Sequence, residues 1–251
     1  MDGTDKIDGV GLHEPAHWGF WGTIVWGVVI SVIFIVLQSV TILVVVVSDK
    51  NLTEAEIEKL FLSSGQDGFI LSLATLVTTI LGIGLIVGVI KLRRGSVLRD
   101  YLGVRLISYR AALKWFGFLI GFIALSDLIT TLLGRPVVPD FMSAVYATAD
   151  PVWMIWLALI IAAPLFEETF FRGFLFKGFE LSFMGPVGAV LVTAGLWALI
   201  HAQYDAYGIA TVFCLGLLLG TARVMSGSLL LPIGLHAVSN LVATIEAAVL
   251  G

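Results

Sequence analysis

Ile160-Ile161-Ala162-Ala163-Pro164-Leu165-Phe166-Glu167-Glu168-Thr169-Phe170-Phe171-Arg172 sets two adjacent carboxylates inside one of the most apolar stretches of the chain. A charged side chain at membrane depth costs at least ~2.5–3.5 kcal/mol on insertion scales. Two together also repel each other. Such a pair persists only where buried partners or water hold it, so it marks a functional site by default.

The surrounding chain has 251 residues, 59% hydrophobic and 13% charged, with mean hydropathy +1.03. Soluble domains run about 25% charged, so the deficit and the long apolar runs indicate a polytopic membrane protein. The net charge of −4 says little about partners, because most charges are confined to loops; no nucleic-acid partner is expected. Cys214 is the single cysteine, which excludes a disulfide framework or a thiolate metal site; it reads as a small buried hydrophobe. The first apolar run, from Trp18 to Val47, is too long for the h-region of a signal peptide. Residues 1–17 read as a disordered cytoplasmic tail, and 18–251 as one integral-membrane domain.

A span needs about 20 mostly apolar residues. Seven segments qualify: 18–47, 69–90, 115–134, 152–172, 186–202, 208–225 and 229–250. The expected fold is an all-α, polytopic transmembrane helical bundle of about 7–8 spans, an eighth arising if 18–47 is split. Its catalytic cavity is expected within the C-terminal helices. Seven of the fourteen Lys and Arg lie in loop 91–114, whereas loops 49–68 and 135–151 are acidic. The positive-inside rule therefore puts 91–114 and the N-terminus in the cytoplasm. Lys177 and Arg223 fall on the same side, and basic residues beside a span can also meet anionic lipid. Thr53 and Glu56 form a capping box for a short helix outside. Two small-xxx-small faces, Gly117/Gly121 and Gly216/Gly220, suit close helix approach within the bundle, or a homodimer.

The polar side chains of the later spans are Glu167, Glu168 and Arg172, then His201, then His236 and Asn240. Glu168 and Arg172 are i, i+4 and can pair; Glu167 points about 100° away. Glu167 is 14 residues before the turn near Leu181, and His201 is 15 beyond Pro186, so an antiparallel pair brings them to similar heights. His236 lies ~12 Å beyond Ser228 against ~21 Å for Glu167. That mismatch closes if the Phe-rich segment 173–183 projects past the membrane or lies along its surface.

Carboxylate, two imidazoles and an amide in a low-dielectric cavity suit peptide hydrolysis. A glutamate takes a proton from water, a histidine orients that water, and further donors hold the developing oxyanion. The same set suits zinc, held by Glu167, His201 and His236 across helices, since no HExxH motif is present. Isolated Asp127 suits structural pairing or a hydrated pocket as well as function, and Glu246 reads as solvated near the outer end.

Glu167-Glu168-Thr169-Phe170-Phe171-Arg172 is an EExxxR motif, Trp197-Ala198-Leu199-Ile200-His201 an aromatic followed four residues on by His, and His236-Ala237-Val238-Ser239-Asn240 an HxxxN motif. In this order they resemble the CPBP family of CAAX proteases and bacteriocin-processing (Abi-type) enzymes, over about residues 110–251. The second motif of that family usually starts with Phe, so Trp197 is expected to matter for ring packing alone. The resemblance implies an intramembrane endopeptidase, of a class named metalloprotease, with its site open to the cytosol. It implies Glu167 as the base with His201, Arg172 bracing Glu168, and His236 with Asn240 as the oxyanion site. A metal-free mechanism is favoured, with zinc as the alternative. The expected substrate is a peptide or a lipidated or prenylated protein cut near a C-terminal or membrane-proximal end, and the expected setting a prokaryotic inner membrane. The competing readings are a non-proteolytic scaffold or bacteriocin-immunity protein, and a transporter or proton-relay subunit.

Overall fold

In hydrocarbon, every backbone N–H and C=O must be satisfied within its own segment, so long runs of Val, Ile, Leu and Phe fold as helices. The computed structural model describes residues 16–48 and 53–250, apart from the side chains of Glu54, Glu56 and Leu62. Among the described residues there are only helices, turns and irregular segments. They are α1 Phe20–Ser48, α2 Glu54–Ser63, α3 Gly68–Leu92, α4 Leu98–Leu102, α5 Tyr109–Leu132 and α6 Asp140–Ala147. There follow α7 Val152–Glu180, α8 Gly185–Leu199, α9 Ala206–Ser226 and α10 Leu230–Leu250. Six of these are long and apolar enough to cross a membrane, and α8 is a shorter apolar helix. The chain is an integral membrane protein, and the seven expected spans correspond to these seven helices. α1 is continuous, so no eighth crossing arises there.

The ends of the helices follow from local chemistry. Asp67, Ser108 and Asp205 cap α3, α5 and α9 by accepting the N–H of Ile70, Ala111 and Gly208. α9 stops at Gly227, whose φ of +66° only glycine adopts readily. The expected tail falls mostly outside the described residues. Of its last two, Ala16 N–H reaches Gly95 O and His17 O accepts from Arg93 Nε. The Glu56 side chain of the expected capping box also lies outside the described residues.

Hydrogen bonds knit the bundle together at two opposite ends. At one, Trp18 Nε1 donates to Val89 O at 3.1 Å, Leu229 N to Gly103 O at 2.8 Å, and Arg223 Nε to Arg172 O at 3.0 Å. The basic loop 91–108 belongs to this end. At the other, Gly68 N donates to Thr148 Oγ1 at 2.8 Å, Arg135 pairs with Asp205, and Thr130 Oγ1 shares a hydrogen bond with Tyr207 Oη.

α7 runs through the centre. Of the two placements expected for 173–183, the segment does not turn aside along the membrane surface but continues this helix to Glu180. Phe174 and Phe176 are fully buried and Phe179 nearly so. A Phe-rich segment with one Lys and one Glu reads equally as interfacial or as core. Here α1, α4, α8 and α9 surround it, and Arg223 sits over the Phe176 ring. Gly216 and Gly220 let α9 close on Ala194, Trp197 and Val190 of α8, so that small-residue face is spent inside the bundle; Gly117 and Gly121 face open space. Cys214 is exposed rather than buried, because α9 turns Leu215, Gly216 and Leu219 inward.

Candidate active site

α7 departs from α geometry twice, as π-helix at Leu157–Ala162 and at Thr169–Leu175. Single π turns within α-helices frequently mark functional sites. In the first of them the expected partner of the Leu159 carbonyl, five residues on, is Pro164, which has no N–H. Asn240 Nδ2 from α10 takes that place, donating to Leu159 O at 2.8 Å. Thr79 Oγ1 of α3 likewise donates to Ala162 O at 3.2 Å. The distortion in α7 thus fixes the position of Asn240.

One turn further, the two glutamates part. Glu168 is fully buried, and its Oε1 accepts from Arg172 Nη1 and from His236 Nδ1, both at 2.9 Å. Arg172, also fully buried, donates to Gly216 O at 3.1 Å and lies 4.6 Å above the Trp197 ring. A buried carboxylate between two donors and a buried guanidinium against a carboxylate, a carbonyl and an indole face satisfy most of each group's demand. Glu168 Oε2 and Arg172 Nε have no hydrogen-bond partner among the described residues.

Glu167 points elsewhere, as the 100° turn requires. It is half-buried, and its Oε2 accepts from Trp197 Nε1. This corrects the expectation for Trp197: the ring packs edge-on against His201 and His236, each at 5.0 Å, and the indole N–H also binds the glutamate. A Phe at this position supplies the first contact and not the second.

His201 follows the end of α8. Its Nδ1 lies 2.8 Å from Trp197 O, and its ring stacks on Tyr204. A carbonyl only accepts, so Nδ1 carries the proton and Nε2 is left as a lone pair. His236 Nδ1, facing a carboxylate, has the same tautomer. In the neutral ring its Nε2 accepts; it donates only once it too is protonated, with Glu168 on the far side to stabilise the charge. Burial, opposed by a hydrogen bond with Gln203 and aided by the charge of Glu167, pushes the Tyr204 hydroxyl above its ordinary pKa.

Glu167, His201, His236 and Asn240 all line one cavity of about 710 Å³. Trp197, Phe166, Phe170 and Phe171 form its inner wall. Ser31, Phe34, Ile35 and Gln38 of α1, and Leu71, Thr75 and Thr79 of α3, form the opposite side. Most of these wall positions are apolar or small like any lipid-facing residue; Gln38, a strongly polar side chain inside the first apolar run, is the signal the sequence did offer. A smaller cleft of about 200 Å³ holds Asp127 and Glu246, both half-buried, so Glu246 is not simply solvated.

Glu167, His201 and His236 share the cavity without converging as ligands. Among the described residues no group of three His, Cys, Asp or Glu side chains is placed to hold a metal ion. The Nδ1 atoms of both histidines and one oxygen of Glu167 are already committed to protein partners. That leaves Nε2 of each histidine and the other Glu167 oxygen as the atoms a metal would use, but in this arrangement they are not brought together around one point.

The cavity lies toward one end of the bundle. Its lining includes Phe141 and Met142 of α6, residues 200–204, and the first half of α3. All belong to the end opposite loop 91–108. A cytosolic opening and a cytosolic basic loop therefore cannot both hold, which corrects that pair of expectations.

A helical membrane bundle with a carboxylate, two imidazoles and an amide on one cavity has the makings of an intramembrane hydrolase. Residues 149–242 match the family described as Type II CAAX prenyl endopeptidase Rce1-like. This is the family that the three motifs resemble, and the matched stretch contains all of them. At family level it supports an intramembrane endopeptidase. The chain is also 35% identical over 126 residues to an uncharacterized 24.3 kDa protein of Escherichia coli. That similarity covers 47% of this chain and 58% of the relative. No solved structure matches the chain.

Proposed function

We propose that the protein is an intramembrane endopeptidase that cuts a peptide bond near the C-terminal or membrane-proximal end of its substrate. The observation that carries this reading is the division of the two glutamates. One is neutralised out of reach of the cavity, and the other faces it beside two histidines and an amide.

Glu167 accepts a proton from a water molecule while the water oxygen attacks the scissile carbonyl carbon. His201 Nε2 accepts the second hydrogen of that water and aims it. The carbonyl oxygen becomes an oxyanion. One amide hydrogen of Asn240 is held by Leu159 O, and the other is free to donate to it. His236 adds a second donor when its Nε2 is protonated. The C–N bond then breaks, and the proton on Glu167 passes to the leaving amine. No metal is needed for this sequence. The apolar walls suit an extended peptide or a lipidated or prenylated segment in a prokaryotic inner membrane.

The test is processing of a membrane-proximal peptide by purified protein and by Glu167→Gln. Hydrolysis is expected in the first and lost in the second, with the variant still folded. Normal hydrolysis in Glu167→Gln would overturn the assignment of the base. Washing with chelator is expected to leave the rate unchanged; loss of activity together with stoichiometric zinc would overturn the metal-free route. A cellular phenotype that survives both Glu167→Ala and His201→Ala would mark a scaffold instead.

A further inference from the structure

Charge divides the two ends of this bundle, and the cavity belongs to one of them. The seven Lys and Arg of 91–114 cluster around the ends of α3 and α5, where Lys177 and Arg223 also lie. None of these nine residues lines the cavity. On every helix that contributes to the cavity, the lining residues sit in the middle or toward the other end. They run through Ser31–Gln38 of α1, Leu71–Thr79 of α3, Val212 and Leu215 of α9, and His236–Thr244 of α10. Its rim, at residues 200–204, is exposed at Ala202 and Gln203. In the segments that join the long helices at that end, 53–67, 133–151 and 200–205, the Lys, Arg, Asp and Glu with described side chains are Lys59 and Arg135 against Glu58, Asp67, Asp140, Asp150 and Asp205. Arg135 is already paired with Asp205.

Lys and Arg beside membrane spans are retained in the cytoplasm, and loops this short obey the bias. We infer that the cavity opens on the non-cytoplasmic face, and that its substrate is a polypeptide segment presented from that side, an exported peptide or the outer flank of a membrane-anchored one. The part concerning a substrate rests on the endopeptidase reading; the placement of the cavity does not. The three motifs do not bear on it, since they fix which helices carry the site and not which way the bundle is inserted. The cationic loop does the second.

The experiment has two arms. In a Cys214→Ala background, which removes the exposed native thiol, Gln203→Cys at the rim and Leu106→Cys, 90% exposed at the basic end, are treated with a membrane-impermeant thiol reagent. In intact cells Gln203→Cys is expected to label and Leu106→Cys to label only after permeabilisation; the reverse pattern overturns the inference. Should either variant fail to fold, Asp150→Cys and Val97→Cys, both exposed, mark the same two ends. In the second arm, a peptide too polar to cross a bilayer is added to right-side-out and inverted vesicles. Cleavage in the right-side-out vesicles, abolished by Glu167→Gln, is expected, and cleavage confined to inverted vesicles overturns the inference. Labelling as expected with cleavage unaffected by Glu167→Gln supports the placement and removes the assignment of Glu167 as the base.

Discussion

Replacing Arg172 by Met tests how the glutamate pair is held. The substitution keeps side-chain length and apolar contact with Trp197 but removes the charge. Glu168 then remains fully buried with His236 Nδ1 as its one remaining partner, and Gly216 O loses its donor. Removing one member of a buried ion pair costs ~3–5 kcal/mol, because the other charge is left uncompensated. For a chain of this size that corresponds to a fall in Tm of roughly 6–20 °C. The double variant Glu168→Gln, Arg172→Met removes both charges. Gln still accepts from His236 through its amide oxygen, so most of the lost stability should return. The assay is the fraction of detergent-solubilised protein that remains monodisperse after heating, for the parent, both single variants and the double. A single Arg172→Met variant melting within ~2 °C of the parent, well short of the shift expected from a broken buried pair, would refute the reasoning. So would a double variant less stable than Arg172→Met alone.

Trp197→Phe keeps the ring contacts with both histidines and deletes the N–H that holds Glu167. Because Glu167 is half-buried and can turn to water, the expected loss is about 1 kcal/mol, with hydrolysis retained, whereas Trp197→Leu should abolish hydrolysis; equal rates for the two would place the importance elsewhere. Pro164→Ala returns a backbone N–H to α7, which competes with Asn240 for the Leu159 carbonyl. Thermal stability should hold or rise while kcat falls, and an unchanged kcat would show that Asn240 needs no such anchor. The bond from Gly208 N–H, more than the Arg135 pairing, holds the Asp205 carboxyl below its ordinary pKa. A depressed carboxylate stabilises fully above its unfolded pKa of ~3.9, and the effect is lost as pH falls through the lower folded value. Melting measured on acidification should therefore show a loss that is shallower in Asp205→Asn, which caps α9 without titrating.

The helices were legible because each span must be long and apolar, and isolated charges such as Asp127, Arg223 and Glu246 interrupt that pattern too little to hide it. Glu168 with Arg172 was legible too, since helical spacing alone puts them on one face. What the sequence hid depends on contacts between helices. Pro164 announces a break in α7, but not that the orphaned carbonyl would be claimed by Asn240, 81 residues later. Trp197 looked like a ring because its N–H matters only once α7 and α8 lie side by side. The segment 173–183 carries a composition that fits a membrane surface or a core, and its neighbours decided. The position of the cavity along the bundle normal, finally, follows from where α8 ends and α3 begins, which no local pattern encodes.

Phe34 of α1 stacks on Phe166 at 4.1 Å, and Phe166, Phe170 and Phe174 continue the column along α7. α1 buries little else: Thr23, Gly27, Ile30 and Val46 are its buried residues. The helix that closes one side of the cavity is held along α3 and, at its start, by Phe20 against Phe179 and Phe183, and it bears none of the site's ionisable groups. On the endopeptidase reading, this part of the cavity wall and the reacting groups reside on separate helices. Substitutions at Ser31, Ile35 or Gln38, which line the cavity beside Phe34, are expected to reshape it while leaving the glutamates, histidines and asparagine in place. A lineage of such proteins can change its clientele without touching its catalyst.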